Sequence, residues 1–403
     1  MQTSISPALL QNPDIAEADA ILRSCVHCGF CNATCPTYQL LGNELDGPRG
    51  RIYLIKEMLE GQVSTEKTQL HLDRCLTCRA CETTCPSGVQ YGRLVDIGRQ
   101  VIEQRAPRPL WQAMVRQALL AILPYPRRFS LLLGVGRIMR PLLPGALQRK
   151  IPPLRKSSKG YPQATHTRKM LLLQGCVQPL TAPDTNAAAA RVLDKLGIAL
   201  VSAPKAGCCG ALHQHLADSS GAQDFMRRNI DAWWPHVEQG AEAIVITASG
   251  CGLMVKEYGD VLKHDAAYAA KAARISALTR DLSEVLRDEQ LDAFSGMGQG
   301  VRVAYQSSCT LQHGQKLSGA VENILQRCGY TLTAVADGHL CCGAAGTYTL
   351  LQPVLSQQLL DNKLAELQRN QPDVIATANI GCQLHLESAS AVPVKHWIEL
   401  LDR

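Results

Sequence analysis

Eight cysteines fall in two runs with one spelling. Residues 25–36 read Cys25-x2-Cys28-x2-Cys31-x3-Cys35-Pro36, and residues 75–86 read Cys75-x2-Cys78-x2-Cys81-x3-Cys85-Pro86. Thiolates at this spacing bind [4Fe–4S] cubes, four to a cube, and the fourth cysteine of each run ligates the other cube. The pattern predicts one site from Cys25, Cys28, Cys31 and Cys85. The second comes from Cys75, Cys78, Cys81 and Cys35. The x2 loops let three thiolates and nearby backbone N–H groups converge, and each Pro ends the local turn. A pair of zinc knuckles is the bland alternative. Zinc sites, however, pair a CxxC with a distant CxxC or two histidines. They do not need four cysteines within eleven residues, twice.

A second cysteine set repeats on a longer period. Cys176, Gly207-Cys208-Cys209-Gly210 and Cys251 are answered by Cys309, Leu340-Cys341-Cys342-Gly343 and Cys382. The offsets are 133, 133 and 131 residues, a register that marks two duplicated units. A Gly after vicinal cysteines permits a backbone turn that other residues resist. Three roles are open to these thiols. They could hold a further cluster if another ligand came from elsewhere, with His213, His215, His313 and His339 nearby. They could do thiol–disulfide chemistry, for which vicinal pairs are labile. They could be structural remnants of a duplicated metal domain. Cys328 has no counterpart and reads as a small buried hydrophobe.

The elements that must position these residues can be read from periodicity. Residues 13–24 form a helix leading into Cys25, with Ile15, Ala18, Ile21 and Leu22 on one face. A second helix runs from Gly47-Pro48 to Leu59, a third over 65–72 delivers Cys75, and a fourth covers 89–104. Arg49 and Arg51 face either cluster or partner charge, or solvent. Residues 106–165 carry nine prolines, which leaves room for two short amphipathic helices near 110–122 and 129–140 and then an extended linker. Beyond it, the first unit alternates strand 170–174, helix 185–196, strand 198–202, helix 221–239 and strand 243–247. That order predicts a small parallel α/β sheet with right-handed crossovers. Functional groups gather beyond the carboxyl ends of such strands, and Cys176, Cys251, Cys309 and Cys382 all follow strands. The fold class is therefore α plus α/β: a helical two-cluster domain over 1–105, a basic linker over 106–165, and duplicated Cys-Cys-Gly units over 166–298 and 299–403.

Composition narrows the setting. Seventeen cysteines without a basic-then-apolar leader argue for metal ligation in a reducing compartment rather than for disulfides. No uninterrupted apolar stretch is long enough for a transmembrane helix. The net charge of +6 hides an asymmetry: from Gln104 to Pro183 there are fourteen Lys and Arg and no Asp or Glu. Interleaved with Trp111, Leu119, Leu120, Ile122, Phe129 and Leu131–Leu133, that block suits a membrane surface or an acidic partner. No recognition module accompanies it, which argues against nucleic acid. Gly134-Val-Gly136 and Gly296-Met-Gly298-Gln-Gly300 follow no convincing strand, so both read as loops and not as nucleotide sites. Neither flavin nor substrate is expected on this chain.

The combination resembles the iron–sulfur oxidoreductase family that includes heterodisulfide-reductase-type proteins, the small subunit of anaerobic glycerol-3-phosphate dehydrogenase and lactate-utilisation proteins. Within it the chain is most similar to the iron–sulfur subunits of bacterial glycolate oxidases. The similarity is carried by Cys25-Val-His-Cys28-Gly-Phe-Cys31, Ala33-Thr-Cys-Pro-Thr-Tyr38, Leu45-Asp-Gly-Pro-Arg-Gly-Arg51, Cys75-Leu-Thr-Cys78, Asn229-Ile-Asp-Ala-Trp-Trp-Pro235, Thr247-Ala-Ser-Gly-Cys-Gly252 and His339-Leu-Cys-Cys-Gly343. It spans nearly the whole chain and is weakest over 106–165. The heterodisulfide-reductase pattern ends each unit in CxxC; here Ala248 and Asn379 occupy the earlier position. The resemblance implies two [4Fe–4S] clusters and a separate flavin subunit that oxidises glycolate to glyoxylate. Electrons then pass toward quinone at the cytoplasmic face of the inner membrane, with this chain bound peripherally. A relay serving lactate or glycerol 3-phosphate would look the same from these residues, and a disulfide-reducing thiol enzyme is the rival of another class.

Overall fold

A computed structural model describes residues 1–142, 144–148, 151–155, 157 and 159–402. Leu143, Arg149, Lys150, Lys156 and Ser158 of the expected linker lie outside the described residues. The chain divides into two compact units. One consists of residues 1–118, 212–219 and 339–363, the other of 119–211, 220–338 and 364–403.

The first unit is built on four helices: α1 (Pro13–Ser24), α2 (Pro48–Leu59), α3 (Glu66–Asp73) and α4 (Tyr91–Arg105). Their starts follow from local chemistry. Pro occupies the first turn of α1 and α2, where no N–H is missed. The Asn12 side chain accepts from Asp14 N, and Thr65 with Thr68 forms a reciprocal capping box. Ile15, Ala18 and Leu22 of α1, Ile52, Ile55 and Met58 of α2, and Leu94 and Ile97 of α4 close one core. Cys25, Cys75 and Cys81 belong to that same core, so the ligand loops grow directly out of it.

Two helices follow, α5 (Leu110–Ile122) and α6 (Pro126–Met139). Helices are expected near 110–122 and 129–140, and α6 takes in Gly134 and Gly136, which by themselves read as loop. Each Gly costs a helix roughly 1 kcal/mol relative to Ala, but Phe129 and Leu133, one turn apart, are buried and hold the segment helical. The residues after α6 are not wholly extended: short helical turns occupy Arg140–Leu142 and Gly145–Gln148.

The second unit contains two four-stranded sheets. In the first, β1 (Arg168–Leu172), β2 (Ile198–Ser202), β3 (Ile244–Ile246) and β4 (Thr279–Asp281) are ordered β2-β1-β3-β4, all parallel. In the second, β5 (Arg302–Gln306), β6 (Thr331–Leu332), β7 (Val374–Thr377) and β8 (Val394–His396) repeat this as β6-β5-β7-β8. Each sheet thus has one strand more than periodicity foretold. Thr-Arg-Asp and Val-Lys-His are three residues long, too short and polar for an alternating signal. Side chains alternate between two faces. Met170 and Val245 join a core shared with Val303, Tyr305 and Val374 of the other sheet. Leu171, Ile244 and Ile246 face a separate core with Met226, Ile230 and Trp233. The helices that cover the first sheet are α7 (Pro183–Lys195) and α8 (Ser219–Glu238), and α9 (Ser249–Lys256) follows β3.

The sheets are also tied by His396 at the end of β8. Its Nε2–H donates to the Thr247 carbonyl (2.9 Å), and its Nδ1 accepts from Ile398 N (3.3 Å). Both ring nitrogens are satisfied only in the neutral form, and burial pushes the imidazole down to about 4. At the matching position in β4, burial raises Asp281 to about 6, although Ser283 donates to it from both its backbone N and its hydroxyl. The signs oppose. His396 contributes stability above its unfolded pKa of about 6.5 that is lost as pH falls toward 4. Asp281 contributes stability below about 4 that is lost as pH rises through 6. Each effect is about 3 kcal/mol. In anaerobic denaturant titrations at pH 4.5 and 7, His396→Gln should gain less stability at the higher pH than wild type, and Asp281→Asn should gain more. Three parallel profiles would refute the assignment.

Candidate metal centres

The two cysteine runs fold alike. Cys25 ends α1 and Cys75 follows α3; short helices at Phe30–Ala33 and Ala80–Thr84 carry Cys31 and Cys81. Between the thiols the backbone turns left-handed at alternate residues: His27 and Gly29 in the first loop, Thr77 and Arg79 in the second. Three of these four are not Gly, and such conformations persist only where surrounding structure enforces them. Pro36 and Pro86 then redirect the chain. Cys35 immediately precedes the helix Pro36–Leu41, at its N-cap position.

The thiols converge in two groups. Cys25, Cys28, Cys31 and Cys85 line a cavity of about 430 Å3, mouth included. Cys35, Cys75, Cys78 and Cys81 line a second of about 290 Å3, and Cys81 also reaches the wall of the first. Each cavity draws its fourth thiol from the other run. Among the described residues, no three Cys, His, Asp or Glu side chains are placed to hold one metal ion. Burial first, then the Cys25 thiol, pushes Cys31 up to about 11, and burial with Cys78 and Cys75 pushes Cys81 well above its usual range. Four thiolates share such a space only around a cationic group, which is what an iron–sulfur core supplies. The donor set and the cavities therefore fit the cubes that the spacing implies.

Sequence reasoning left Arg51 between cluster and solvent. It is buried, at 1% exposure. Its Nε donates to the His71 carbonyl (2.7 Å), one terminal nitrogen donates to the Thr37 hydroxyl (3.1 Å), and the other lies 4.0 Å from Cys35 Sγ. Burial opposes its charge, but Tyr91, the Cys75 and Cys35 thiols and the Asp46 carboxylate outweigh that and hold it cationic. Tyr91 was not singled out by sequence; its hydroxyl donates to Cys75 Sγ at 3.6 Å. Tyr348 was also missed. Its hydroxyl donates to the Arg74 carbonyl at 3.0 Å, beside the second run.

The second cysteine set is divided between the compact units. Cys176, Cys208, Cys209 and Cys251 lie beyond the carboxyl ends of β1, β2 and β3 and hydrogen-bond one another as free thiols: Cys176 with Cys208, and Cys209 with both Cys208 and Cys251. Those bonds and burial raise Cys176 and Cys209 far above the usual thiol range. Asn229 of α8 clamps the turn: its Oδ1 accepts from Gly207 N, and its Nδ2 donates to the Cys208 carbonyl and to Tyr258 Oη. Tyr258 in turn donates to the Cys209 carbonyl. Gly210 has φ +89 and a Cβ there would meet the Ala222 carbonyl at 3.0 Å; Gly343 has φ +90 and the same conflict with Ser356. In the second half, Cys309 and Cys382 belong to the second unit, whereas Cys341 and Cys342 belong to the first. His213 is held by Asp218 (2.7 Å) and His215 by Asp96 (3.4 Å); His313 is buried in the turn Thr310–Gly314. Where a CxxC would begin, Asn379 caps the helix Ile380–Glu387 by accepting from Gly381 N, and it donates to Ser249. Cys328 is fully buried, as expected for a small hydrophobe.

Comparison with known proteins agrees with both halves. Residues 21–89 match the 4Fe-4S dicluster domain, and residues 170–256 and 303–387 match the cysteine-rich domain. The glycolate oxidase iron-sulfur subunit of Escherichia coli is 55% identical over 403 residues, all of this chain and 99% of the relative. The probable glycolate oxidase iron-sulfur subunit of Bacillus subtilis is 30% identical over 91% of the chain and 88% of the relative. Lactate utilization protein A of Geobacillus kaustophilus is 25% identical over 58% of the chain and 98% of the relative. With its doubled cysteine loops, its paired parallel sheets and full-length similarity, the chain belongs to the glycolate oxidase iron–sulfur subunit family, as the electron-transfer part of an oxidoreductase complex.

Proposed function

We propose that Cys25, Cys28, Cys31 and Cys85 hold one [4Fe–4S] cluster and Cys75, Cys78, Cys81 and Cys35 a second, within a complex that oxidises glycolate. The supporting observation is the pair of cavities, each lined by three thiols of one run and a fourth from the other, with Cys81 touching both. When bound, such clusters carry one electron at a time. The chain's own contribution is to bury Cys25, Cys35, Cys75 and Cys81 while Cys28 remains exposed at one edge. A separate flavin subunit is the donor in this reading, glycolate its substrate, and quinone the acceptor; the glycolate assignment follows the relatives' names. Cys176, Cys208, Cys209 and Cys251 form a candidate third site, with Cys309, Cys341, Cys342 and Cys382 as their repeat.

Anaerobically purified protein should contain about eight irons and eight sulfides if two cubes are bound, and about twelve or more if the Cys-Cys-Gly thiols also take a cluster. Cys28→Ser and Cys78→Ser should each disturb a different EPR signal, with glycolate-to-quinone turnover falling at least tenfold in the assembled complex. Unchanged turnover after loss of both signals would leave the chain only a scaffold.

We further propose that α5 and α6 bring the chain to the membrane surface. No single helix among the described residues is long and apolar enough to cross a bilayer. Yet Leu110, Trp111 and Met114 of α5, and Leu131, Val135 and Ile138 of α6, are exposed. Part of the basic block is used internally: Arg108 and Arg116 pair with Asp73. Arg127, Arg128 and Arg140 remain exposed around the apolar face of α6, the composition of an interfacial helix. The protein should cosediment with phosphatidylglycerol vesicles more than with phosphatidylcholine vesicles. Leu131→Glu with Ile138→Glu should weaken binding tenfold or more, since each buried aliphatic side chain is worth about 1.5–3 kcal/mol. Equal sedimentation of variant and wild type would exclude this face.

A further inference from the structure

The two cysteine cavities differ in what confronts the sulfurs. The arginine at the first, Arg49, has a side chain 36% exposed and is engaged by Glu44 at 2.6 Å. Val26, Pro48, Ile52, Pro86 and Val89 give that cavity a largely apolar wall; Tyr91 lines both cavities, but its hydroxyl is hydrogen-bonded to a sulfur of the second. At the second, the buried Arg51 guanidinium lies 4.0 Å from Cys35 Sγ, the Tyr91 hydroxyl donates to Cys75 Sγ at 3.6 Å, and Thr77 N donates to Cys75 Sγ at 3.4 Å. Thr37 Oγ1 is 3.3 Å from Cys35 Sγ but also 2.7 Å from the Asp46 carbonyl, so its one proton cannot be counted for the thiolate. Arg51 and Tyr91 are therefore side-chain donors whose protons are unambiguous.

Reducing a thiolate-ligated cube adds one negative charge and makes or breaks no bond to the protein. A buried cation and hydrogen bonds to the ligand sulfurs favour that extra charge; burial without them opposes it. Asp46 does not cancel the cation. It lies 3.7 Å from Arg51, but Arg74 and His71 both approach it at 2.9 Å, so the group as a whole stays positive on the side of Cys35. At the first cavity Cys28 is exposed and Cys31 and Cys85 are half-buried, so water reaches that edge, whereas at the second Arg51 and Tyr91 address the sulfurs directly.

We infer that Arg51, assisted by Tyr91, sets the reduction potential of the cluster held by Cys35, Cys75, Cys78 and Cys81 above that of its neighbour, making this the site where an electron settles. The inference rests on the two-cluster reading above. Arg51 acts here as a positioning residue, through the ligand sulfurs. The test is an EPR-monitored titration of the full-length, anaerobically purified protein with dithionite. Wild type should show two one-electron steps. In Arg51→Met the higher step should fall by at least about 59 mV, a tenfold change in the ratio of reduced to oxidised cluster, while the lower step stays in place. Tyr91→Phe, which removes a hydroxyl and no charge, should move the same step the same way by less. It serves as the readout if Arg51→Met loses iron, and Arg51→Lys should then keep most of the wild-type value. Unmoved steps, movement of the lower step alone, or two clusters that titrate together in wild type would overturn the inference. A wild type without cluster signals would instead remove the two-cluster reading.

Discussion

Thiolates repel one another, and burying them makes the repulsion worse. The helical unit is organised around that constraint. It collects eight sulfurs into two cavities, pushes Cys31 and Cys81 above their ordinary ionisation by burial, and so favours a cationic core between them. The left-handed residues His27, Thr77 and Arg79 carry backbone strain that the hydrophobic core beneath the loops must hold in place. The same core includes Cys25, Cys75 and Cys81, so ligand geometry and helix packing are one structural problem here.

The duplicated half meets an analogous constraint with hydrogen bonds. Four thiols bond one another at the carboxyl ends of three strands, and the Asn229–Tyr258 pair fixes the backbone that presents two of them. The repeat is structural as well as sequential. Both sheets have the same strand order, and the positions Asp281 and His396 close corresponding strands with opposite responses to acid.

What could be read from the sequence was what ligand chemistry or long periodicity forces. The cysteine runs announce themselves because a cube fixes its ligand spacing. Helices α1, α2 and α8 were legible because an apolar stripe must recur along a buried face. The pair β4 and β8 was not, since three residues cannot display a period. The helix near 129–140 was legible, but judging Gly134 and Gly136 only as a nucleotide motif sets them apart as loop; burial of Phe129 and Leu133 keeps them helical. Arg51 was the harder case: its neighbours in space, Thr37, Asp46, His71 and Tyr91, come from four separate stretches, and only their convergence turns a surface-like residue into a buried cation.

The first compact unit is not one stretch of chain. Residues 339–363 complete it, and Tyr348 within them donates to the carbonyl of Arg74, the residue just before Cys75. During synthesis the cysteine runs leave the ribosome early, while this piece of their surroundings emerges only after more than three hundred residues. The first unit therefore cannot be completed until that late segment has been made. A chain interrupted before residue 339 would carry all eight cysteines of the two runs but lack Tyr348 and the rest of that segment from their housing.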